Sequence, residues 1–363
     1  MSAQPVSFYD KAAIDGLAAR SKIDPHRVRR ARTAFFKRAL GSEATLAELP
    51  ERVRPEWRER VAFHPLALAR RHASRVDEAQ KLVFRTGAGF SIESVLMQPK
   101  TGRVALCISS QVGCAAACRF CATGQMGVAK SLSPGEIAAQ VAAANELLRG
   151  SGRRVRNVVF MGMGEPMHNA AAVRKTLGAL TDPAMFDYSP ARILLSTVGA
   201  PAPWIETVRA YPGVNYALSL HSAVDSTRRQ IIPLAAKHGL AELRDAVRAV
   251  NELQPERRAV MIEYLVLEGL TDSTSDADAL IGWLDGLRVH VNLIPYNPVA
   301  GAPDLRRAPR DVTERFGARV KAAGYPTTIR YSMGQDIDAA CGQLVRDENR
   351  AVQAELATAL LRH

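Results

Sequence analysis

Arg103-Val-Ala-Leu-Cys107-Ile-Ser-Ser-Gln-Val-Gly-Cys114-Ala-Ala-Ala-Cys118-Arg-Phe-Cys121 is the stretch on which the reading of this chain turns. Its first half, 103–110, is an apolar run of strand length. Its second half places three cysteines within eight residues. The chain holds five cysteines in all, Cys107, Cys114, Cys118, Cys121 and Cys341, an odd number that argues against a disulfide framework. Thiolates are the ligands that iron–sulfur clusters take. Three of them on one loop can hold a four-iron cluster and leave one iron open to chelate and reduce a substrate. A zinc site needs a fourth ligand, for which Cys107 is the nearby candidate, and zinc knuckles usually pair C-x-x-C units. The gap from Cys114 to Cys118 is one residue longer.

Downstream of this stretch the pattern repeats as strand, loop, helix. Strand-like segments fall at 103–110, 157–161, 193–197, 215–220, 260–267 and 289–295, with helical periodicity between them. Ser133-Pro-Gly-Glu136 reads as a capping box with proline in the first turn. Six strands alternating with helices predict an α/β fold, either a parallel sheet or an open (β/α) barrel. A last strand is expected at 327–331, then a loop bearing Cys341, then a closing helix over 346–363. In such folds ligands gather at the carboxyl ends of the strands. The cysteine loop and Gly162-Met-Gly164-Glu165 both follow strands there. Cys341 lies in a Gly- and Asp-bearing segment that reads as an exposed loop, a poor place for a structural thiol.

Upstream lie 102 residues of different character. Segments within 8–72 read as short helices. Asp24 caps one that opens on Pro25, carries Arg27, Arg29, Arg30, Arg32, Lys37 and Arg38, and has Val28, Ala31 and Phe35 on its apolar face. Residues 81–86 and 91–97, separated by Gly87-Ala-Gly89, read as a β-hairpin. The organisation expected is a basic helical domain over 1–75, a hairpin extension over 76–102, the barrel with its cysteine loop over 103–345, and the helix over 346–363. The formal charge is +12 and the pI about 9.8, with 16 Lys/Arg against 8 Asp/Glu in residues 1–75. Two thirds of the excess thus sits in one fifth of the chain, which points to a polyanionic partner for that module. No apolar run reaches membrane-spanning length and no leader pattern opens the chain, so a cytoplasmic protein with no membrane partner is expected.

Cys114-x-x-x-Cys118-x-Phe-Cys121 resembles the signature of the radical S-adenosylmethionine (SAM) superfamily. The surroundings resemble one family, the RlmN/Cfr RNA adenine methyltransferases. The resemblance rests on 107–114, Val159-Phe-Met-Gly-Met-Gly-Glu165-Pro, Ser196-Thr-Val-Gly, Ser219-Leu-His221, Val291-Asn-Leu-Ile-Pro-Tyr-Asn297-Pro and Asp336-Ile-Asp-Ala-Ala-Cys341-Gly-Gln-Leu, in that order. It implies a partial (β/α)6 radical SAM barrel with a small N-terminal helical domain and a β-hairpin extension. It implies one [4Fe-4S] cluster on Cys114, Cys118 and Cys121. It implies SAM held by Gly164, Glu165, Ser196, Ser219, Leu220, His221 and Asn297.

Family resemblance also implies a mechanism using two SAM molecules per turnover. The first methylates Cys341. The second is reduced to a 5′-deoxyadenosyl radical that takes hydrogen from that methyl group, and the carbon radical adds to the adenine. Cys107 then helps resolve the protein–RNA crosslink, leaving a Cys107–Cys341 disulfide, and Glu93 acts as proton acceptor. The implied partners are 23S ribosomal RNA, with transfer RNA beside it, and a reducing electron donor. C2 of adenine is the expected target, with C8 as the alternative. The RlmN branch carries Arg-Gly-Asp-Asp where this chain has Tyr331-Ser-Met-Gly-Gln-Asp336, and the Cfr pattern is not matched fully either. Two other readings compete: a noncatalytic RNA-binding protein with zinc, and another radical SAM enzyme such as a methylthiotransferase, which would generally need a second cluster.

Overall fold

The computed structural model describes residues 5–99 and 102–344, with Asn349 and Val352. The helix expected over 346–363 lies outside the described residues except for those last two, both helical.

The N-terminal unit opens with β1 (Val6–Ser7), α1 (Lys11–Arg20) and α2 (Pro25–Arg32), which runs on into a π-turn over Thr33–Lys37. It continues with α3 (Gly41–Ala47), α4 (Arg54–Arg60) and β2 (Val61–Ala62), which pairs in parallel with β1. Asp24 accepts from the His26 N–H at 2.8 Å, so the N-cap and the proline start form as expected. Val28, Ala31 and Phe35 are buried. Phe8, Phe35, Phe36 and Phe63 pack together, and Phe36 continues to Phe186 of the barrel at a centroid distance of 4.8 Å. Lys11–Asp182 at 2.7 Å and Lys37–Asp187 at 3.0 Å cross the same seam. Both units therefore share one core.

β3 (Leu66–Ala73), β4 (Gln80–Thr86) and β5 (Ser91–Met97) form an antiparallel meander. The β4–β5 hairpin appears as expected, with Gly89 at φ +85 in its turn. β3 corrects the sequence reading, which had residues up to 72 in helices. Leu-Ala-Leu-Ala-Arg-Arg-His-Ala has helical propensity, but main-chain pairing with β4 outweighs it. Only Leu66 of this edge strand is buried.

The barrel unit begins with β6 (Ala105–Cys107), then a small hairpin of β7 (Gln111–Cys114) and β8 (Gly127–Ser131) that the sequence did not reveal. α5 (Pro134–Arg149) follows; Ser133 Oγ accepts from the Glu136 N–H at 3.2 Å and Glu136 returns the contact at 2.8 Å. Then come β9 (Asn157–Phe160), α6 (Ala170–Thr181), β10 (Ile193–Thr197), α7 (Pro201–Ala210), β11 (Asn215–Ser219), α8 (Asp225–Ile231) and α9 (Leu240–Leu253). The series closes with β12 (Val260–Val266), α10 (Thr274–Leu284), β13 (Val289–Pro295), α11 (Arg310–Ala322) and β14 (Thr327–Ile329).

Among the described residues one ten-stranded sheet runs β14-β13-β12-β11-β10-β9-β6-β5-β4-β3. It is parallel from β6 to β14 and antiparallel from β6 to β3. Strand–helix alternation covers the outer face with helices, as parallel strands require. No helix among the described residues is long and apolar enough to cross a membrane.

Candidate active site

Cys114 ends β7, and Cys118 and Cys121 follow on the loop before the short helix Thr123–Met126. Ala117 adopts φ +53 inside that loop, which bends the chain back so that the three cysteines line one cavity. Burial pushes all three thiols up, Cys114 to about 12. Neutral thiols crowded in a cavity are unspent ligands, because a bound metal displaces their protons. A cluster suits this arrangement, because its thiolates each bind a different iron. The donor set of three thiols around one cavity therefore fits a [4Fe-4S] cluster on Cys114, Cys118 and Cys121.

Arg228, which the sequence reading passed over, is a buried cation behind this loop. Its guanidinium donates to the Leu220 and Val198 carbonyls at 3.1 and 2.7 Å, and its charge favours the ionised form of Cys118. Burial lowers its own pKa to about 10, which leaves it charged at neutral pH.

The expected SAM residues come together in part. Glu165 is buried and held by its own chain. Met167 N–H and Thr197 Oγ1 donate to Oε1 at 2.9 and 2.7 Å, and Val198 N–H donates to Oε2 at 2.9 Å. Burial outweighs these bonds and raises its pKa. Gly164 sits at φ +101, and a Cβ there would lie 2.6 Å from Gln111 Cβ. Gln111 Oε1 in turn accepts from the Glu165 N–H at 2.9 Å. Close approach at this glycine is thus to the chain itself. Ser196 Oγ and Ser219 Oγ lie 3.1 Å apart on neighbouring strands. His221 is buried at φ +60; Leu265 N–H donates to Nδ1 at 3.1 Å, so the ring proton belongs on Nε2. Burial and Arg228 push its pKa down to about 3, and the imidazole is neutral. Gly164, Glu165, Ser196, Ser219 and His221 all line the cysteine cavity.

Two expected residues are placed differently. Leu220 turns into the core. Asn297 is buried and tied to the cysteine loop: Nδ2 donates to Ser332 Oγ at 2.9 Å and to the Cys341 carbonyl at 3.1 Å, while Arg307 donates to Oδ1 at 3.0 Å.

Cys341 lines the cysteine cavity and also a second one, together with Gly342 and Met161. It is exposed, as expected for a loop thiol, yet desolvation by the protein packed around it raises the thiol to about 11. Cys107, on β6, lies in the wall of the second cavity and is pushed up by burial to about 12. Both thiols are free. Arg330 faces the pair from β14's end, its Nη1 3.6 Å from Met161 Sδ. The loop around Cys341 is pinned on both sides. Ala122 N–H donates to the Gly342 carbonyl at 2.7 Å. Ser74 Oγ and Arg75 N–H donate to Asp336 at 2.7 and 2.8 Å, and Gly334 N–H donates to Asp77 at 2.9 Å.

Glu93 is fully buried, where a lone strand carboxylate is more often solvated. Lys81 Nζ lies 3.6 Å from its Oε1 and reaches the Asp338 carbonyl at 3.3 Å. Its strand neighbours Val95 and Met97 line the second cavity, and by the two-residue period of a strand Glu93 shares their face. Glu263 was also missed: it is buried and lines the cysteine cavity. A carboxylate inside the apolar run Met261-Ile-Glu263-Tyr-Leu265 was the signal that could have found it.

Comparison with known proteins agrees with this geometry. The radical SAM superfamily matches residues 108–280. A probable RNA methyltransferase of Rhodopirellula baltica is 47% identical over 358 residues, which is 98% of this chain and 92% of that one. A probable dual-specificity RNA methyltransferase RlmN of Thermus thermophilus is 39% identical over 318 residues, 87% of this chain and 88% of that one. The crystal structure of a radical SAM methyltransferase from Sphaerobacter thermophilus aligns with a TM-score of 0.88 at 37% identity, covering 94% of this chain and 99% of that one.

Partial barrel and cysteine loop together define a radical SAM enzyme, with a [4Fe-4S] cluster and SAM as its cofactors. Within that class the chain belongs to the RlmN/Cfr family of SAM-dependent RNA methyltransferases.

Proposed function

We propose that this enzyme methylates C2 of an adenine in 23S ribosomal RNA, with transfer RNA as a second substrate, by way of a methylated Cys341. One observation carries the reading: Cys341 borders the cysteine cavity on one side and the second cavity on the other. A residue so placed can take a methyl group from a ligand in the first and present it to a base in the second. The dual-specificity name of the Thermus relative supports the choice of RNAs.

The Cys341 thiol loses its proton, and its sulfur takes the methyl group of a first SAM as the sulfonium S–C bond breaks and S-adenosylhomocysteine leaves. A cluster held by Cys114, Cys118 and Cys121 would supply one electron, drawn from an external reducing donor, to split a second SAM into methionine and a 5′-deoxyadenosyl radical, which would leave as 5′-deoxyadenosine with one hydrogen atom of the Cys341 methyl group. Cys341 then bonds through that carbon to the adenine, which has to leave its stack to enter the second cavity. Glu93 accepts the proton from the adenine carbon, from the face it shares with Val95 and Met97, while the adduct's unpaired electron would return to the oxidised cluster. Cys107, in the wall of the same cavity, attacks the Cys341 sulfur; the S–C bond breaks, the carbon takes a proton to become the product's methyl group, and two electrons from the external donor reduce the resulting Cys107–Cys341 disulfide to thiols. Splitting the transfer through a covalent intermediate avoids direct attack by an unreactive aromatic carbon. Gly164, Glu165, Ser196, Ser219 and His221 hold SAM from the cavity wall, and the Leu220 main chain and Asn297 fix the segments around it.

The N-terminal unit supplies phosphate contacts through exposed Arg27, Arg29, Arg30 and Arg38. Arg32 is not among them, since it is buried and pairs with Asp15 at 2.9 Å.

The test is anaerobic reconstitution with SAM, reductant and ribosomal or transfer RNA, followed by mass spectrometry of the nucleosides. 2-Methyladenosine in wild type and none in Cys341→Ala, at unchanged iron content, is the expected result. 8-Methyladenosine would move the target to C8. Normal turnover in Cys341→Ala would refute the methyl-cysteine route.

A further inference from the structure

Glu263 lies mid-strand on β12, in register with Ser219 on β11 and Asn292 on β13. Asn292 in turn is in register with Thr328 on β14. Asn292 Nδ2 donates to Glu263 Oε2 at 2.6 Å, Thr328 Oγ1 donates to Asn292 Oδ1 at 3.0 Å, and His290 Nε2 lies 3.0 Å from Thr328 Oγ1. Thr328 has its proton committed to Asn292, so His290 is the donor to Thr328. Each bond in the row points its proton toward Glu263, and such a chain is polarised toward a negative terminus. Arg330 opposes the burial of Glu263 by favouring its charged form.

The other carboxylate oxygen, Oε1, has no hydrogen-bond partner among the described residues. Glu263 is 1% exposed, and it lines the cysteine cavity beside Ser219 and His221. A buried acceptor left unmade is expensive, and more so when charged. A ligand that brings a donor to Oε1 removes that cost.

Which end of SAM arrives there follows from the layout of the cavity. The methionine end belongs at the cysteine loop, where the open iron would chelate it and where Glu165 already supplies a carboxylate. From there the ligand extends across β10 and β11, past the Ser196–Ser219 pair, to β12. The nucleoside would reach the polar row; of its donors, the ribose hydroxyls lie nearer the methionine end than the adenine amino group and so would meet β12 first.

We propose that Glu263 is a further SAM-contacting residue, its Oε1 accepting a hydrogen bond from a ribose hydroxyl. This rests on the reading that SAM occupies the cysteine cavity. The test is equilibrium dialysis of the reconstituted full chain with SAM and, separately, with S-adenosylhomocysteine, which keeps the ribose and lacks the sulfonium charge. Glu263→Met keeps side-chain size and removes the acceptor. It should weaken both ligands by a similar factor of about 10 to 100, the loss of one charge-assisted hydrogen bond. Iron should stay at about four per chain, the content of one four-iron cluster. Unchanged affinity overturns the proposal, and so does a loss confined to SAM, which would place the carboxylate at the sulfonium. Should Glu263→Met fail to fold, Glu263→Gln decides: it can still meet Asn292 and should weaken both ligands several-fold, and wild-type affinity would again overturn the proposal. Wild-type protein that binds neither ligand would sink the underlying reading instead.

Discussion

Asn297 donates from Nδ2 to the main-chain carbonyl of Cys341 at 3.1 Å, and this bond fixes the cysteine loop to the end of β13. The same side chain accepts from Arg307, so both its polar ends are engaged inside the protein. Asn297→Ala should release the loop and leave the Arg307 contact and the Cys341 carbonyl unmet. Stability should fall by about 1–3 kcal/mol. Methylation should drop at least about tenfold, since displacement of a reacting group by an ångström already costs more than that. Hydrogen exchange over 331–344 reads the loop, and iron analysis separates this from cluster loss.

Gly164 cannot carry a side chain. Its positive φ disfavours any L residue, and an added Cβ would strike Gln111, which holds the Glu165 main chain. Gly164→Ala is expected to cost about 2–4 kcal/mol in thermal or denaturant unfolding. It should also lower SAM affinity, because Glu165 shifts with it.

Arg228 lies behind a loop that would gather three thiolates. Replacing it with methionine keeps length and removes the cation. A more negative reduction potential of the cluster is expected, since loss of nearby positive charge disfavours the reduced state. Spectroelectrochemical titration would read it, and an unchanged or more positive potential would contradict this role. The Leu220 and Val198 carbonyls would also lose their donor, costing about 1–3 kcal/mol each if water does not replace it.

His221 supplies a pH dependence that can be measured on the apo chain. Its folded pKa of about 3 lies below the ordinary 6.5, so between these values the unfolded state binds the extra proton. Stability from this group is full above pH 6.5 and is lost as pH falls toward 3. The slope is about 1.4 kcal/mol per pH unit within that window. Comparing urea midpoints of wild type and His221→Gln at pH 7 and pH 5 isolates it. The gap between the two should shrink or reverse at the lower pH.

Much of this was legible from residues alone, and the reasons differ by element. Ser133-Pro-Gly-Glu136 and Asp24-Pro25 are local signals satisfied within one turn, and both caps form as read. The three cysteines announce themselves by their spacing, and the fold brings them to one cavity. β3 was misread because its strand character comes from β4, a partner 7 residues away in the chain at the near end, Ala73 against Gln80, and 20 at the far end, Leu66 against Thr86. Leu66-Ala-Leu-Ala gives no hint of it. The β7–β8 hairpin was missed because its strands are short and flank the cysteine loop. Arg228 and Arg330 look like surface arginines in sequence. Their importance lies in facing Cys118 and the Cys107–Cys341 pair across the fold, which no local pattern encodes. Asn297 was placed in the right neighbourhood but engages the loop rather than the cavity wall.

The meander β3–β5 continues the barrel sheet without a break, and the helical unit beyond it is fastened to the barrel by Phe36–Phe186 and two ion pairs. Among the described residues the basic surface and the two cavities thus belong to one continuous sheet and core. On the proposed reading the protein would work as a fixed caliper, with the arginine-bearing helix as one jaw and Cys341 as the other. An RNA would qualify when its phosphate path and its extruded adenine fit that span together. Selection by such a gauge would depend on the folded shape of the RNA more than on the letters around the target, so two unrelated RNAs could pass it if they present the same separation.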